Sequence, residues 1–332
     1  MARRPTVRDV ADAAGVSVAT VSRALSGARA VKPEHRELVM RTATELGYRP
    51  HSVARALRRA RTGVVGMVVP RIDNPFFPQV VSGVERALQV HDLALFLCSS
   101  DDDPDTESRR LDLLAERQVD GILVVPCTQT ASAPALDATR ASIPLVQVDQ
   151  RATGVAAPFV GIDDAAGIAA VIGHLIATGR RRLAFVGADP ENWSGGRRVA
   201  GFREWAHDND PRAAARVALG DFSRESGRAA AHDLLSRDPE IDALVCANDL
   251  IALGALDAAT ELGRKVPIEL AIAGFDDISV ATACRPTLTT VRQPVADIVA
   301  TSVATLLALI DGDDASAKET LLPVELIVRG SA

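Results

Sequence analysis

Aromatic residues are scarce in this chain of 332 residues: eight phenylalanines, two tryptophans and one tyrosine make up 3% of it. The four cysteines, Cys98, Cys127, Cys246 and Cys284, lie far apart. Cys98, Cys127 and Cys246 lie in or at the ends of apolar runs, so we interpret these three as buried free thiols. No apolar stretch reaches the roughly 18 residues that a membrane span needs, and the first residues show no secretory signal. We therefore expect a cytoplasmic protein that does not contact a membrane.

Signatures of enzymatic chemistry are also missing. The six histidines show neither metal-ligand spacing nor a neighbouring nucleophile. The acidic run Asp101–Asp105 lacks the glycine and the closing glutamate of a calcium loop, so a solvated turn and helix cap is the better interpretation. No glycine-rich phosphate loop is present. We predict no catalytic residue, no metal site and no cofactor.

The charge of the chain is divided unevenly along its length. Residues 1–61 hold 13 basic and 5 acidic side chains, a net charge of +8, although the whole chain carries −6. The remaining residues hold 24 basic and 38 acidic side chains, a net charge of −14. A basic segment at one end of an acidic protein is typical of binding to a polyanion through that end alone.

Two short helical patterns meet at Gly15. Val7, Val10, Ala11 and Ala14 share one face of the first, and Val18, Val21, Ala24 and Leu25 share a face of the second. Gly15 can adopt the left-handed conformation that a sharp turn requires, and Ser17 is placed to cap the second helix. This pattern predicts a helix-turn-helix that reads DNA in the major groove, with a small helical hairpin without a partner as the alternative.

This run resembles the DNA-binding headpiece of the LacI/GalR family of bacterial transcription regulators. Val31-Lys32-Pro33 with Arg36 is similar to the start of the family's third helix. Residues 46–50 and 52–57 are similar to its hinge segment. The three pieces occur in the family's order and spacing, and the resemblance continues through almost the whole chain.

The resemblance implies a set of DNA contacts. Val18 and Ala19 would occupy the main base-discriminating positions and pack against thymine methyl groups, while Thr20 and Arg23 supply polar readout. Thr6, Ser17, Ser22 and Tyr48 are interpreted as phosphate or positioning contacts. Val21 and Leu25 are expected in the core of the headpiece.

The hinge segment would form a second DNA element. By resemblance, residues 51–58 fold on the operator, with Leu57 as a wedge between the central base pairs. The expected neighbours in the minor groove are Val53, Ala54 and Arg58. The alternative is that Leu57 packs on the rest of the protein. His51 stands where relatives usually have asparagine, which puts that phosphate contact in doubt.

From Thr62 onward, apolar strand-like runs alternate with amphipathic helical segments, which favours parallel sheets covered on both faces. The predicted strands cover residues 63–69, 94–98, 121–126, 144–148, 159–162, 183–187, 243–247 and 270–275. Examples of the helices cover residues 79–90, 107–118, 165–178, 196–208 and 250–262. The number of strands fits two similar α/β halves.

The resemblance makes this architecture specific. It implies an all-α helix-turn-helix headpiece followed by an α/β core like a periplasmic binding protein, with two doubly wound parallel-sheet subdomains. We place the headpiece at residues 1–50, the hinge at 51–61 and the core at 62–332. The N-subdomain would comprise about 62–163 and 291–322, and the C-subdomain about 164–290 and 323–332. Crossovers are expected near Asp163, Thr290 and Pro323, with one strand over Leu321–Arg329. No heptad tail follows, so a homodimer is expected.

A ligand site is expected outside the carboxyl ends of the core strands. Asp73, Phe76 and Phe77 follow the first of these strands, and Phe77 could stack on a sugar or base ring, whereas Phe76 could equally belong to the core. Matching the family residue by residue adds Asp149, Ser194, Arg198, Phe222, Asn248 and Asp276. Asn248 and Asp249 could instead cap the following helix. Carboxylates, an amide, an arginine and aromatic faces fit a carbohydrate or a nucleoside-like molecule.

We therefore predict a sequence-specific DNA-binding regulator, expected to repress, whose affinity for a near-palindromic double-stranded operator is controlled by this small effector. A solute-binding protein of the same core fold is the alternative. It would have a signal peptide and no headpiece, the reverse of this sequence. An enzyme is a distant third interpretation.

Overall fold

The computed structural model of the chain describes residues 5–25, 31–48, 61–313 and 318–332. The contacts divide the chain into two compact units, Met1–Gly63 and Val64–Ala332. We call them the N-terminal unit and the core unit. Each has an apolar core of its own.

The N-terminal unit contains three described helices, α1 (Val7–Ala14), α2 (Val18–Leu25) and α3 (Pro33–Glu45). Helix α1 begins with a capping box between Thr6 and Asp9 and ends at Gly15, whose φ of 63° is left-handed. The Ser17 hydroxyl accepts a hydrogen bond from the Thr20 amide at 3.1 Å. The predicted turn and cap are therefore confirmed. Val10, Val21 and Val39 are completely buried where the helices meet.

The core unit is built on two six-stranded sheets, in the orders β11-β5-β4-β3-β1-β2 and β12-β10-β9-β8-β6-β7. The first sheet comprises β1 (Val64–Val69), β2 (Ala94–Ser99), β3 (Gly121–Val124), β4 (Leu145–Val148), β5 (Phe159–Ile162) and β11 (Glu319–Leu322). The second comprises β6 (Leu183–Ala188), β7 (Val217–Gly220), β8 (Ala243–Cys246), β9 (Ala271–Asp276), β10 (Thr289–Arg292) and β12 (Glu325–Ile327). All pairs are parallel except β10 with β12.

Helices cover both sheets. The first is packed by α4 (Phe76–Gln89), α5 (Pro104–Glu116), α6 (Ala133–Arg140) and α12 (Val295–Asp311). The second is packed by α7 (Asp164–Ala177), α8 (Trp193–Asn209), α9 (Arg224–Arg237), α10 (Asp249–Glu261) and the short α11 (Val280–Ala283), and a 3₁₀ turn covers Pro211–Ala215. We call the first sheet with its helices the first lobe, and the second sheet with its helices the second lobe. The predicted fold class is confirmed, and each of the eight predicted strands coincides with an observed one.

The chain passes between the lobes three times, after β5, after β10 and between β11 and β12. The passage after β10 follows Arg292, two residues beyond the crossover predicted near Thr290. One detail of the prediction is wrong. The single strand over Leu321–Arg329 is two strands in different sheets, because Pro323 between them has no N–H to donate to a ladder.

Within these described ranges, no helix is long and apolar enough to cross a membrane. Cys127 and Cys246 are buried free thiols, as predicted, whereas Cys98 and Cys284 are partly exposed.

Candidate functional site

A cleft lies between the two lobes of the core unit, where the carboxyl ends of the two sheets face each other. Its empty space is about 430 Å³, including the open mouth. The first lobe contributes Pro70, Arg71, Asn74, Phe76, Phe77, Asp102, Asp149 and Gln150 to its lining. The second lobe and the connection that follows β10 contribute Asn192, Ser194, Arg198, Phe222, Asn248, Asp276 and Gln293.

Eight of the nine residues predicted to contact the effector line this cleft. Asp73 does not. Its two carboxylate oxygens accept hydrogen bonds from the Arg71 guanidinium at 2.6 and 2.9 Å, and Arg71 lines the cleft in its place.

The floor of the cleft is organised around the buried guanidinium of Arg198 on α8. Its Nε donates to Asp164 at 2.7 Å, and its Nη1 donates to the carbonyl of Ala247 at 2.6 Å and to Asp276 at 3.4 Å. The guanidinium carbon also lies 3.7 Å from the centre of the Phe275 ring. Asp164 was not predicted as a site residue. These partners hold Arg198 rigidly while it faces the cleft.

Asp149 and Asp276 bring two further buried carboxylates to the cleft. Burial raises the pKa of Asp149 to about 7 and that of Asp276 to about 6, although the charge of Arg198 opposes both shifts. Asp276 accepts a hydrogen bond from Gln293 at 2.8 Å, and Asp149 accepts one from Gln150 at 3.1 Å. Among the described atoms, Oδ1 of Asp149 and Oε1 of Gln293 have no hydrogen-bond partner.

Asparagines cap the helices that begin at the cleft. Asn248 accepts a hydrogen bond from the Ile251 amide at 2.9 Å and also lines the cleft, so the cap is confirmed and the residue also faces the cleft. Asp249 does not cap the helix. Its carboxylate instead accepts from Thr290 and from the Ile278 amide, which ties β10 to the loop after β9.

Phe76 and Phe77 belong to both the core and the cleft. Their rings meet edge to face, with centroids 5.4 Å apart, and both side chains are buried. Both also line the cleft, together with Phe222 from the opposite lobe. An apolar ring face can therefore pack against this side of the site.

Hydrogen bonds join the two lobes beside the cleft. Gln129 donates from its backbone amide to Glu191 at 2.7 Å and from its side chain to Pro190 at 2.8 Å. Gln150 exchanges two hydrogen bonds with Ser194, at 3.0 and 3.1 Å. Neither these two glutamines nor Gln293 were predicted from the sequence. Gln150 directly follows the predicted Asp149, which was the one signal available.

The second candidate site is the exposed side of the N-terminal unit. Val18, Ala19 and Arg23 are exposed on α2, Thr20 and Ser22 are half-buried, and Val21 is buried. Thr6 is exposed, Leu25 is half-buried, and Tyr48 packs partly against the core. A shallow depression beside α2 is lined by Thr20, Arg23, Val31, Lys32 and His35. His51, Val53, Ala54, Leu57 and Arg58 lie outside the described residues.

Comparisons with known proteins identify a family for both units. Residues 6–51 match the model of the lacI family of bacterial regulatory proteins, and residues 62–329 match that of periplasmic binding proteins and the sugar binding domain of the LacI family. The ribose operon repressor of Halalkalibacterium halodurans is 33% identical over 98% of this chain and 96% of its own length. The repressor CytR of Escherichia coli is 32% identical over 98% and 96%.

Solved structures of transcriptional regulators also match this chain. The Lac repressor dimer bound to operator and the anti-inducer ONPF matches with a TM-score of 0.89 and 25% identity, over 99% of both chains. The complex of the regulator CelR with cellobiose matches with a TM-score of 0.74 and 32% identity, over 99% of this chain and 100% of that one. The chain therefore belongs to the LacI family of bacterial transcriptional regulators.

Proposed function

We propose that the chain is a homodimeric repressor that binds a near-palindromic operator and is controlled by a sugar or nucleoside-like effector in the cleft between its lobes. One observation carries the proposal. The same chain holds a helix-turn-helix with an exposed second helix and a two-lobed core whose cleft gathers eight predicted effector residues. It would act in the cytoplasm, where the DNA is.

In the DNA-binding half, α2 would lie in the major groove. The exposed Val18 and Ala19 can pack against thymine methyl groups, and Arg23 can pair with guanine. Thr6, Ser17, Ser22 and Tyr48 would position the unit on phosphates. Leu57, with Val53, Ala54 and Arg58 beside it, remains our proposed wedge at the centre of the operator.

In the effector half, the cleft offers oxygen acceptors, one arginine and aromatic faces. This combination suits a molecule with vicinal hydroxyls and an apolar ring face. Relatives whose names refer to ribose and cellobiose support a carbohydrate. Since the cleft is lined by both lobes, a ligand can change the angle between them and so shift the regulator between two states of different operator affinity.

A dimer is supported by the edge of the first sheet. Strand β2 ends that sheet, and its Phe96 and Leu97 are 47% and 40% exposed. Val90, which follows α4, is 82% exposed. An uncovered apolar edge strand is a ready surface for a second copy, and a twofold dimer would read two inverted half-sites.

The DNA-binding half is tested in two steps. Operators are first selected, and one residue proposed to contact bases, Arg23, is then replaced. The full chain should enrich a near-palindromic sequence from a random duplex library, and Arg23→Ala should cost about 1–3 kcal/mol on that sequence and relax one base position. Titrations on selected and on random DNA give both quantities.

The matched control is Arg41→Ala, which removes an exposed arginine of α3 that pairs with Glu45. We expect this variant to lose a little affinity, equally on selected and on random DNA. If Arg23→Ala lost equal affinity on selected and random DNA, Arg23 would be a phosphate contact. If the full chain enriched no sequence, the proposed operator binding would be wrong.

A further inference from the structure

We propose that the cleft selects an uncharged polyhydroxy effector and rejects the phosphate ester of the same molecule. This inference rests on the proposed function, since it assumes that the cleft holds the effector. It concerns the charge of the ligand, which the overall architecture leaves open.

Once Asp149 is ionised, above about pH 7, the unpartnered polar atoms of the cleft are acceptors. Oδ1 of Asp149 and Oε1 of Gln293 are buried and have no hydrogen-bond partner among the described atoms. A buried acceptor without a donor is costly, so the ligand must bring hydrogen-bond donors to both positions. Hydroxyl groups donate, whereas a phosphate dianion only accepts. The two positions therefore suit a hydroxyl-bearing ring.

The cations of the cleft are already neutralised. Arg198 forms ion pairs with Asp164 and Asp276, and it also interacts electrostatically with Asp149. Arg71 forms a bidentate ion pair with Asp73, and its Nε lies 3.9 Å from the carboxylate of Asp102. Carboxylates thus outnumber guanidinium groups around the site. An added phosphate would be repelled unless one of these ion pairs broke.

The helix N-termini at the cleft are occupied as well. Free amides in the first turn of a helix are the usual protein ligands of a phosphate. Here Gln150 accepts from the Ser194 amide at 3.0 Å, and Asn192 accepts from the Gly195 amide at 3.0 Å. Asn74 accepts from the Phe76 amide at 3.1 Å, and Asn248 accepts from the Ile251 amide. Each cap satisfies one first-turn amide, so a phosphate bound there would compete with these side chains.

Calorimetry on the full chain with matched pairs tests the inference. The pairs are D-ribose with ribose 5-phosphate, D-glucose with glucose 6-phosphate, and adenosine with adenosine 5′-monophosphate. At pH 8, where Asp149 is ionised, we expect at least one uncharged member to bind and its ester to bind more than about tenfold more weakly, since its phosphate would lie beside carboxylates of the same charge.

Two variants test the cause of the discrimination. Asp149→Asn removes a carboxylate from the cleft and should reduce the ratio of the ester's dissociation constant to that of the uncharged molecule. Asp73→Asn, outside the lining, releases Arg71 and should strengthen ester binding while changing sugar binding little. Asp112→Asn removes an exposed carboxylate on α5 and should leave the ratio unchanged.

The outcomes separate this inference from the proposed function. If an ester bound as tightly as its sugar or more tightly, the inference would be overturned, while effector control by the cleft would stand. If neither member of any pair bound, both the inference and the proposed effector class would be wrong. Operator selection needs no effector, so it would still test the DNA-binding half.

Discussion

Asp149 and Asp276 occupy corresponding places in the two lobes. Each lies at the carboxyl end of the fourth strand of its sheet in chain order, β4 and β9, and each has a left-handed backbone, with φ of 64° and 102°. Residues with a side chain seldom adopt this conformation, which costs on the order of 1 kcal/mol. The strain occurs where both carboxylates face the cleft, which is typical of binding sites.

The raised pKa of Asp149 predicts how stability depends on pH. The folded chain holds this proton up to about pH 7, whereas an ordinary aspartate releases it near 3.8. Stability should therefore fall as the pH rises from about 4 to 7, because the folded state binds more protons than the unfolded state. Asp149→Asn removes this contribution and should be about 1–3 kcal/mol more stable than the wild type at pH 8, with little difference at pH 4.

Urea unfolding followed by tryptophan fluorescence measures this in the full chain, because both tryptophans, Trp193 and Trp205, lie in the core unit. Asp276, whose pKa is raised to about 6, would add a decline below pH 6 that remains in the variant. Asp112→Asn should keep the wild-type slope. A variant with an unchanged slope would show that Asp149 is ionised throughout the range.

At the scale of elements, α9 and α10 approach so closely that only glycine fits between them. A Cβ on Gly254 of α10 would lie 2.1 Å from the carbonyl oxygen of Arg224 and 2.5 Å from the amide nitrogen of Arg228. A Cβ on Gly227 of α9 would lie 2.5 Å from the carbonyl oxygen of Ile251. Asn248 caps the start of α10 and lines the cleft, so this contact also fixes one wall of the cleft.

Gly254→Ala should therefore destabilise the core unit by about 1–3 kcal/mol, because backbone atoms cannot move aside as a flexible side chain can. The control is Gly173→Ala on α7, where a Cβ would meet nothing within 4 Å. Alanine there should stabilise by up to about 1 kcal/mol through helix propensity. Urea unfolding of both variants gives the comparison, and equal stabilities would contradict the close packing of α9 and α10.

At the scale of the whole molecule, charge distinguishes the DNA-binding segment from the rest. Residues 1–61 carry +8, and the remainder carries −14. Phosphates attract the first segment and repel the second. Non-specific attraction is thereby confined to the segment that reads the bases.

Operator binding should therefore fall steeply with salt, by about a thousandfold between 50 and 200 mM for six or more phosphate contacts. A truncated chain that begins at residue 62 should not bind the operator at all. Its cooperative unfolding serves as the control that the core unit is intact. Operator binding retained by this truncated chain would contradict the assignment.

The sequence by itself determined the elements and the family. Near-continuous apolar runs such as β1, with the sequence VVGMVV, are typical of strands covered on both faces, and the turn at Gly15 with the cap at Ser17 indicates the helix-turn-helix. Strand β7 was not predicted, because it lies partly exposed at a sheet edge and has no near-continuous apolar run. Eight of the residues predicted to bind an effector line the cleft, because they follow strands or begin helices in a recognised order.

Only the tertiary structure decided which side chains meet. Asp164 and Gln293 are distant in sequence and no local pattern marks them, yet the fold brings Asp164 against Arg198 and Gln293 against Asp276. It also placed Asp73 on Arg71 and outside the lining. Hydrogen-bond partners and burial depend on distances between residues far apart in the chain. A pattern along the sequence can therefore predict the edge at which a site forms, but not which atoms remain unpaired there for a ligand.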